Sequence, residues 1–374
     1  MTRPGRPAQD GRRGRARGSG REATATATAA QGARSRDIRF AGASNLLTGT
    51  LTVPAETQDP WAAAVFLHGS GPQDRNEDGP GLALHVFDTL AGDLAEAGIA
   101  SVRYDKRGVG ESPGDLLRAT VEDLAADART AVRFVRRLHE TAGLPVYLVG
   151  HSEGATIALL LGAIEPPPAG LVLLNPSITP MEDVLRLQAA GVQAAIARLP
   201  APERQRLGIP DGFDQRQATE QMIQAVREAP PDQAAMPMGN QTIPVRWFRS
   251  HFDLDLGRLL EGIRVPLLAV GAAKDTQVPP HDAEALAARV RAAAAARGEA
   301  IDATAVLVPD LTHVLRRTPG MGAAAEYPQL CQQPVDPGLR QLIVRWLTDR
   351  RPDAAGQGGG EEDTGAAAGS PPGR

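Results

Sequence analysis

The chain has a single cysteine, Cys331, in 374 residues. No intrachain disulfide can form, which fits a reducing, cytoplasmic setting. Aromatic residues are scarce at 3%, so a core must be built from Ala, Leu and Val, and an apolar content of 42% supplies enough of them. No apolar run approaches the roughly 18 residues of a membrane span. No apolar segment follows Arg12-Arg13 either, so a secretory or twin-arginine signal is not expected. Beyond its start the chain has no excess of positive charge. Residues 1–36 hold nine Arg against Asp10 and Glu22, and the net charge of −4 leaves about −11 on the remainder. Such an acidic body argues against nucleic-acid binding through the folded part. Nothing in the sequence calls for a metal or a cofactor, and the oligomeric state is not legible.

What is present is an alternation of apolar runs. Asp37–Phe40 and Leu47–Val53 read as an antiparallel hairpin. Trp61–Leu67, Ile99–Tyr104, Leu144–Val149, Gly170–Leu174, Val265–Val270 and Ala303–Val308 read as buried strands. Between them stand helical patterns at Leu82–Ala97, Thr120–Thr141, Ala155–Leu161, His281–Arg297 and Leu339–Asp349, with Thr120 placed to cap its helix three residues before Asp123. Regular alternation implies a mostly parallel sheet covered by helices on both faces. From about Pro176 to Gly262 the alternation breaks into helix-like stretches (181–199, 202–207 and 215–228) with no good strand. The expected organisation is a disordered basic tail (1–36), a first core part (37–177), a helical cap insertion (178–262), a second core part (263–350) and a disordered tail (351–374).

The chemistry gathers around Gly150-His151-Ser152-Glu153-Gly154, which stands between a strand pattern and a helix pattern. Strand, G-x-S-x-G, helix is the context of a nucleophile elbow, with the serine at a sharp turn. An idle serine in a Gly-rich turn is the bland alternative. A serine needs a base, and the base needs an orienting acid. In elbow folds these follow in the order Ser, Asp/Glu, His, each after a sheet strand. Asp275 follows the strand at 265–270, and His313 follows the strand at 303–308, which makes Ser152, Asp275 and His313 the candidate catalytic residues. Asp310 is a rival acid but lies too near His313 in sequence. An oxyanion would need two N–H donors. One is expected from Glu153 and the other from Ser70, with Gly71 as the alternative, in the loop after the first core strand. Glu153 puts a carboxylate beside the nucleophile, so it should be paired by Arg75, Lys106 or Arg107. Trp247, Phe248 and Phe252 are candidates for the wall of a substrate pocket.

These motifs resemble those of α/β-hydrolase esterases of the dipeptidyl-aminopeptidase/acylaminoacyl-peptidase-related type. Their oxyanion loop reads H-G-S-G-P-x-D-R-[DN], and here it is His68-Gly69-Ser70-Gly71-Pro72-Gln73-Asp74-Arg75-Asn76. The stretch Tyr104–Ser112, the GHSEG elbow, Trp247–Asp253, Asp275–Pro279 and Glu326-Tyr327 also match, so the resemblance covers about 37–349. Two loops depart from the pattern: Thr312 stands before His313 where Asn is usual, and the acid loop reads Gly271-Ala272-Ala273-Lys274-Asp275 where Gly-Glu-Lys-Asp is usual. The resemblance implies an α/β-hydrolase fold and hydrolysis of short-chain carboxylic esters, with a small-molecule ester as the partner. An aminopeptidase or acyltransferase on the same three residues is the alternative. The aminopeptidase would need a carboxylate for the substrate ammonium, for which Glu182, Asp183, Asp211 and Asp214 are candidates. A non-catalytic binding protein on the same scaffold is the third reading.

Overall fold

The computed structural model describes residues 32–163, 165–239 and 241–352. Most of the two expected tails lies outside the described residues. The chain enters the fold slightly earlier than its pattern predicts, because the first strand, β1 (Arg34–Ala41), takes in residues 34–36.

β1 pairs antiparallel with β2 (Leu46–Val53) in the hairpin that their alternation predicts. The remaining strands of the sheet are β3 (Ala62–Leu67), β4 (Ile99–Tyr104), β5 (Val146–His151), β6 (Gly170–Leu174), β9 (Leu267–Ala272) and β10 (Ala303–Val308). Spatially they run β1-β2-β4-β3-β5-β6-β9-β10, and every pairing from β4 to β10 is parallel. Strand residues face alternate sides, so β3 shows why its run is apolar throughout. Ala63, Val65 and Leu67 face α2 (Val121–Val135) and α3 (Glu153–Leu161), in a core that continues under α9 (Asp282–Ala296). Ala62, Ala64 and Phe66 share the other core with residues of α1 (Val86–Glu96) and α11 (Pro337–Thr348), and Phe66 stacks on Phe87 of α1. The sheet therefore separates two cores, and small alanines in its central strand let the helices approach closely.

Local chemistry sets the helix ends. Thr120 caps α2 in a full capping box with Asp123. The helix closes at Val135 rather than continuing to Thr141; the chain goes on in turns, and Thr141 bonds back to the Val135 carbonyl. α1 starts at Val86, not at Leu82, because His85 takes a left-handed conformation (φ 48°) that no helix continues through.

Between β6 and β9 the chain forms α4 (Met181–Arg198), α5 (Ala201–Arg206), α6 (Gln215–Glu228), α7 (Val245–Phe252) and α8 (Leu256–Gly262). It also forms a two-stranded hairpin, β7 (Met236–Met238) with β8 (Gln241–Ile243). The expectation that this stretch holds no strand is thus corrected: three-residue strands interrupted by Pro237 are too short to leave a periodic signal. A short helix, α10 (Tyr327–Leu330), precedes α11. Among the described residues no helix is long and apolar enough to cross a membrane.

The tightest point of the fold is the passage from β5 into α3. A Cβ on Gly150 would fall 2.2 Å from the Gly154 carbonyl oxygen, and one on Gly154 would fall 1.9 Å from the carbonyl oxygen of Leu67. Helix α3 therefore starts in backbone contact with the end of β3. Gly154→Ala should lower unfolding free energy by about 1–3 kcal/mol, since the clash is with backbone that cannot rotate away. A thermal melt of Gly154→Ala that overlays the wild type would contradict this packing.

Candidate active site

Strands β3, β5, β9 and β10 are parallel, so the loops after them emerge at one edge of the sheet, where open α/β sheets bind ligands. The loop after β5 carries Ser152 at φ 53° and ψ −117°, a left-handed geometry that a non-glycine residue adopts only when its surroundings impose it. The impositions here are the two glycines and a bond from the Ser152 N–H to the Leu174 carbonyl at 2.9 Å. The loop after β9 carries Asp275, and the loop after β10 carries His313. These two meet, with His313 Nδ1 at 2.7 Å from Asp275 Oδ2. Asp275 Oδ1 accepts from the backbone N–H of Gln277 and Val278 at 2.7 and 3.0 Å, so both carboxylate oxygens are fixed. Ser152 and His313 line one cavity of about 280 Å³.

The rival residues are elsewhere. Asp310 is exposed and pairs with Lys274 at 2.9 Å. His281 pairs with Glu284 on the surface. The loop after β3 brings Ser70 to the same cavity, with Glu153 opposite. Glu153 is the first residue of α3, where no preceding turn offers an acceptor for its N–H. Among the described residues nothing accepts from the backbone N–H of Ser70 or Gly71. Ser70 lines the cavity, and Gly71 contributes its carbonyl to Lys106 instead.

Of the three cations expected to pair Glu153, Lys106 does so at 2.8 Å, with both side chains buried. Arg75 turns to Asp105, Asp37 and Glu111, and Arg107 to Asp127. The other Glu153 oxygen accepts from Trp247 Nε1 at 2.6 Å and lies 3.3 Å from His251 Nε2. Burial pushes the Glu153 carboxyl upward, but Lys106 and then His251 outweigh it and pull it down to about 2. Lys106 also donates to the Gly69 and Gly71 carbonyls, which ties the loop after β3 to the elbow. Trp247 and Phe248 line the cavity, with Met181, Val184 and Leu185 of α4. Phe252 does not line it, in contrast to the expectation; its ring lies under Arg227, 5.1 Å from the guanidinium carbon.

Apart from His68, which opens the nine-residue loop motif, several residues at the site carried no sequence signal of their own. His151 bonds through Nδ1 to Glu77 Oε1 at 2.7 Å and through Nε2 to the His313 carbonyl at 2.9 Å. Asn175 Nδ2 donates to the same carbonyl at 3.0 Å. His68 is buried between Phe87 and Tyr104, and burial followed by the charge of Lys106 pushes it down to about 4, which keeps the ring neutral. The only available hint was position: Glu77 directly follows the nine-residue loop motif, and His151 precedes the serine. Among the described residues no group of three or more His, Cys, Asp or Glu stands close enough to hold a metal ion.

Comparison with known proteins agrees with this architecture. The sequence profile of the family described as "Serine aminopeptidase, S33" matches residues 79–313. Esterase EstD of Thermotoga maritima is 25% identical over 304 residues, covering 81% of this chain and 66% of that protein. The chain thus spans just under two thirds of that relative, and 37–48% of four further curated relatives. An esterase of Pyrococcus furiosus superposes with a TM-score of 0.52 at 15% identity, over 85% of this chain and 92% of that one. Est1E from Butyrivibrio proteoclasticus, solved with ferulic acid, gives 0.51 at 14% identity, over 83% and 99%. At such identities these structures speak to the fold alone, which is the α/β-hydrolase fold.

The buried pair makes a stability prediction. Glu153 titrates below its ordinary value of 4.5, so its contribution is complete above about pH 4.5 and fades as pH falls towards 2. At pH 7, Lys106→Met leaves the carboxylate without its cation and should cost about 3–5 kcal/mol in urea unfolding. A loss under about 1 kcal/mol, the scale of an exposed pair, would contradict the burial described.

Proposed function

The chain belongs to the serine aminopeptidase S33 family, and from that premise we propose that it is a serine carboxylesterase acting on short-chain esters. In this reading Ser152 Oγ attacks the ester carbonyl carbon while His313 Nε2 takes the hydroxyl proton. The N–H groups of Glu153 and Ser70 hold the oxyanion, which develops in a site already supplied with donors. Collapse expels the alcohol, which leaves with the proton from His313. Water then attacks the acyl-enzyme with His313 again as base, releasing the acid and restoring Ser152. Asp275 holds the imidazole in the tautomer that presents Nε2 as acceptor. The observation that carries the reading is the 2.7 Å bond from His313 Nδ1 to a doubly anchored Asp275, in a loop facing the cavity that Ser152 lines.

The choice of ester over peptide rests on charge. A substrate ammonium needs a free carboxylate, and among the described residues the only one lining the cavity is Glu153, already engaged by Lys106, Trp247 and His251. None of the four other candidates lines it. Glu182 pairs with Arg227, Asp183 pairs with Arg186, Asp214 caps α6 and Asp211 is exposed. The esterase relatives and the H-G-S-G-P-x-D-R-N loop support the same class. We read α4–α8 as a cap that limits acyl length, because its residues wall a cavity at the lower edge of ordinary ligand sites. The lone Cys331, free and half-buried, remains in keeping with a cytoplasmic setting.

The test is a panel of p-nitrophenyl esters of increasing chain length beside aminoacyl p-nitroanilides. Turnover should favour acyl groups of roughly two to six carbons, since a methylene that does not fit gains none of its ~0.8 kcal/mol. Ser152→Ala and His313→Ala should each lose about 10³-fold or more, and Asp275→Asn somewhat less. Turnover of the anilides without the esters would move the assignment to an aminopeptidase. A Ser152→Ala protein with more than about a tenth of wild-type activity would end the catalytic assignment.

A further inference from the structure

We propose that Glu77 and His151 are positioning residues that share one proton beneath Ser152 and clamp the oxyanion loop and the base loop to the elbow. The proposal rests on the roles given above to Ser152 and His313. The dyad touches three segments. Glu77 Oε1 accepts from the Gly69 N–H at 3.0 Å, in the loop that carries Ser70. His151 is the residue before Ser152. Its Nε2 meets the backbone carbonyl of the base, His313, at 2.9 Å.

Donor counting fixes the protons. A carbonyl can only accept, so His151 Nε2 must carry hydrogen. Glu77 Oε1 lies 2.7 Å from His151 Nδ1 and already accepts from Gly69. A neutral histidine with its proton on Nε2 would set the Nδ1 lone pair against an ionised carboxylate at that distance. One more proton must lie between them, and because Oε1 already accepts from Gly69 and Glu77 favours the charged ring, that proton sits on Nδ1. His151 is then an imidazolium, fully buried, with Glu77 as its counter-ion and both ring nitrogens donating.

The surroundings agree. Glu77 is fully buried and held at φ 70°, so its position is imposed. The other groups facing the His151 ring are His313, with centroids 4.9 Å apart, and the carboxylate of Asp275. Arg316 and His68 are the further titratable groups that feel the charge of Glu77. Burial drives the proton off His151, but Glu77 and the bonds to Glu77 and His313 outweigh it and hold its pKa above the ordinary value. Loss of that proton at high pH would set two lone pairs face to face and break the link between Glu77, which holds Gly69, and His151, which holds the His313 carbonyl. Activity should therefore fall on the alkaline side, although Ser152 and His313 remain chemically competent there.

Two measurements on the full chain test this. In ¹⁵N-histidine NMR, the His151 signals, identified by their absence from His151→Gln, should show both ring nitrogens protonated at neutral pH. A neutral tautomer there would overturn the proposal, and this readout needs neither turnover nor a second variant. Glu77→Gln removes the counter-charge, and the one atom standing where Oε1 stands can be either the acceptor Gly69 needs or a donor to Nδ1, not both. The alkaline limb of kcat/KM should move down by about 1–3 pH units, with kcat falling more than KM rises. A Glu77→Gln profile that superimposes on the wild type would also overturn it. If instead Ser152→Ala keeps ester turnover, the catalytic reading fails while the NMR result still decides the state of the dyad.

Discussion

Helix α3 begins where strand β3 ends, with the Gly154 backbone pressed against the Leu67 carbonyl, and the site follows from that contact. A side chain at either glycine would force α3 away from the sheet. Without one, the chain can reverse within a single residue, and that residue, Ser152, must take positive φ. The reversal leaves the Glu153 N–H without an intrahelical acceptor and brings the loop after β3 alongside the elbow. Gly69 illustrates how close: a Cβ there would lie 3.4 Å from Cβ of Ser152. The Ser152 hydroxyl and the N–H groups of Glu153 and Ser70 are thereby brought together by packing alone.

That geometry creates an electrostatic difficulty that the rest of the site resolves. Glu153 puts a full negative charge beside the point where an oxyanion would form, in surroundings that exclude water. The structure binds that charge from three directions, with Lys106 from the loop after β4 and Trp247 and His251 from α7. The same Lys106 holds two carbonyls of the loop after β3, so neutralising Glu153 and shaping that loop are one act. A carboxylate so engaged cannot also receive a substrate ammonium, which is the physical reason we propose an ester rather than a peptide as substrate. Trp247 both walls the cavity and hydrogen-bonds the elbow residue, so a pocket role and a structural role coexist in one side chain.

Ser152, Asp275 and His313 were legible because each stands just past the end of an apolar run, and parallel strands place such positions at one edge. Both sheet faces were legible for the same reason. The hairpin at 236–243 was not, since three-residue strands carry no period. Glu77 and His151, 74 residues apart, were invisible as a pair because tertiary contact alone joins their loops. Glu153 lies between these cases. Its need for a cation was clear from one buried charge, while the choice of Lys106 over Arg75 and Arg107 was made by the carboxylates that claim the two arginines.

The central claim is that Ser152 is an activated nucleophile. A fluorophosphonate probe reacted with the whole chain, followed by intact mass measurement and peptide mapping, tests it without assuming any substrate. The account predicts a single adduct on Ser152, formed rapidly in the wild type, absent from Ser152→Ala and strongly slowed in His313→Ala. An unlabelled wild-type protein, or an adduct on any other serine, would contradict it.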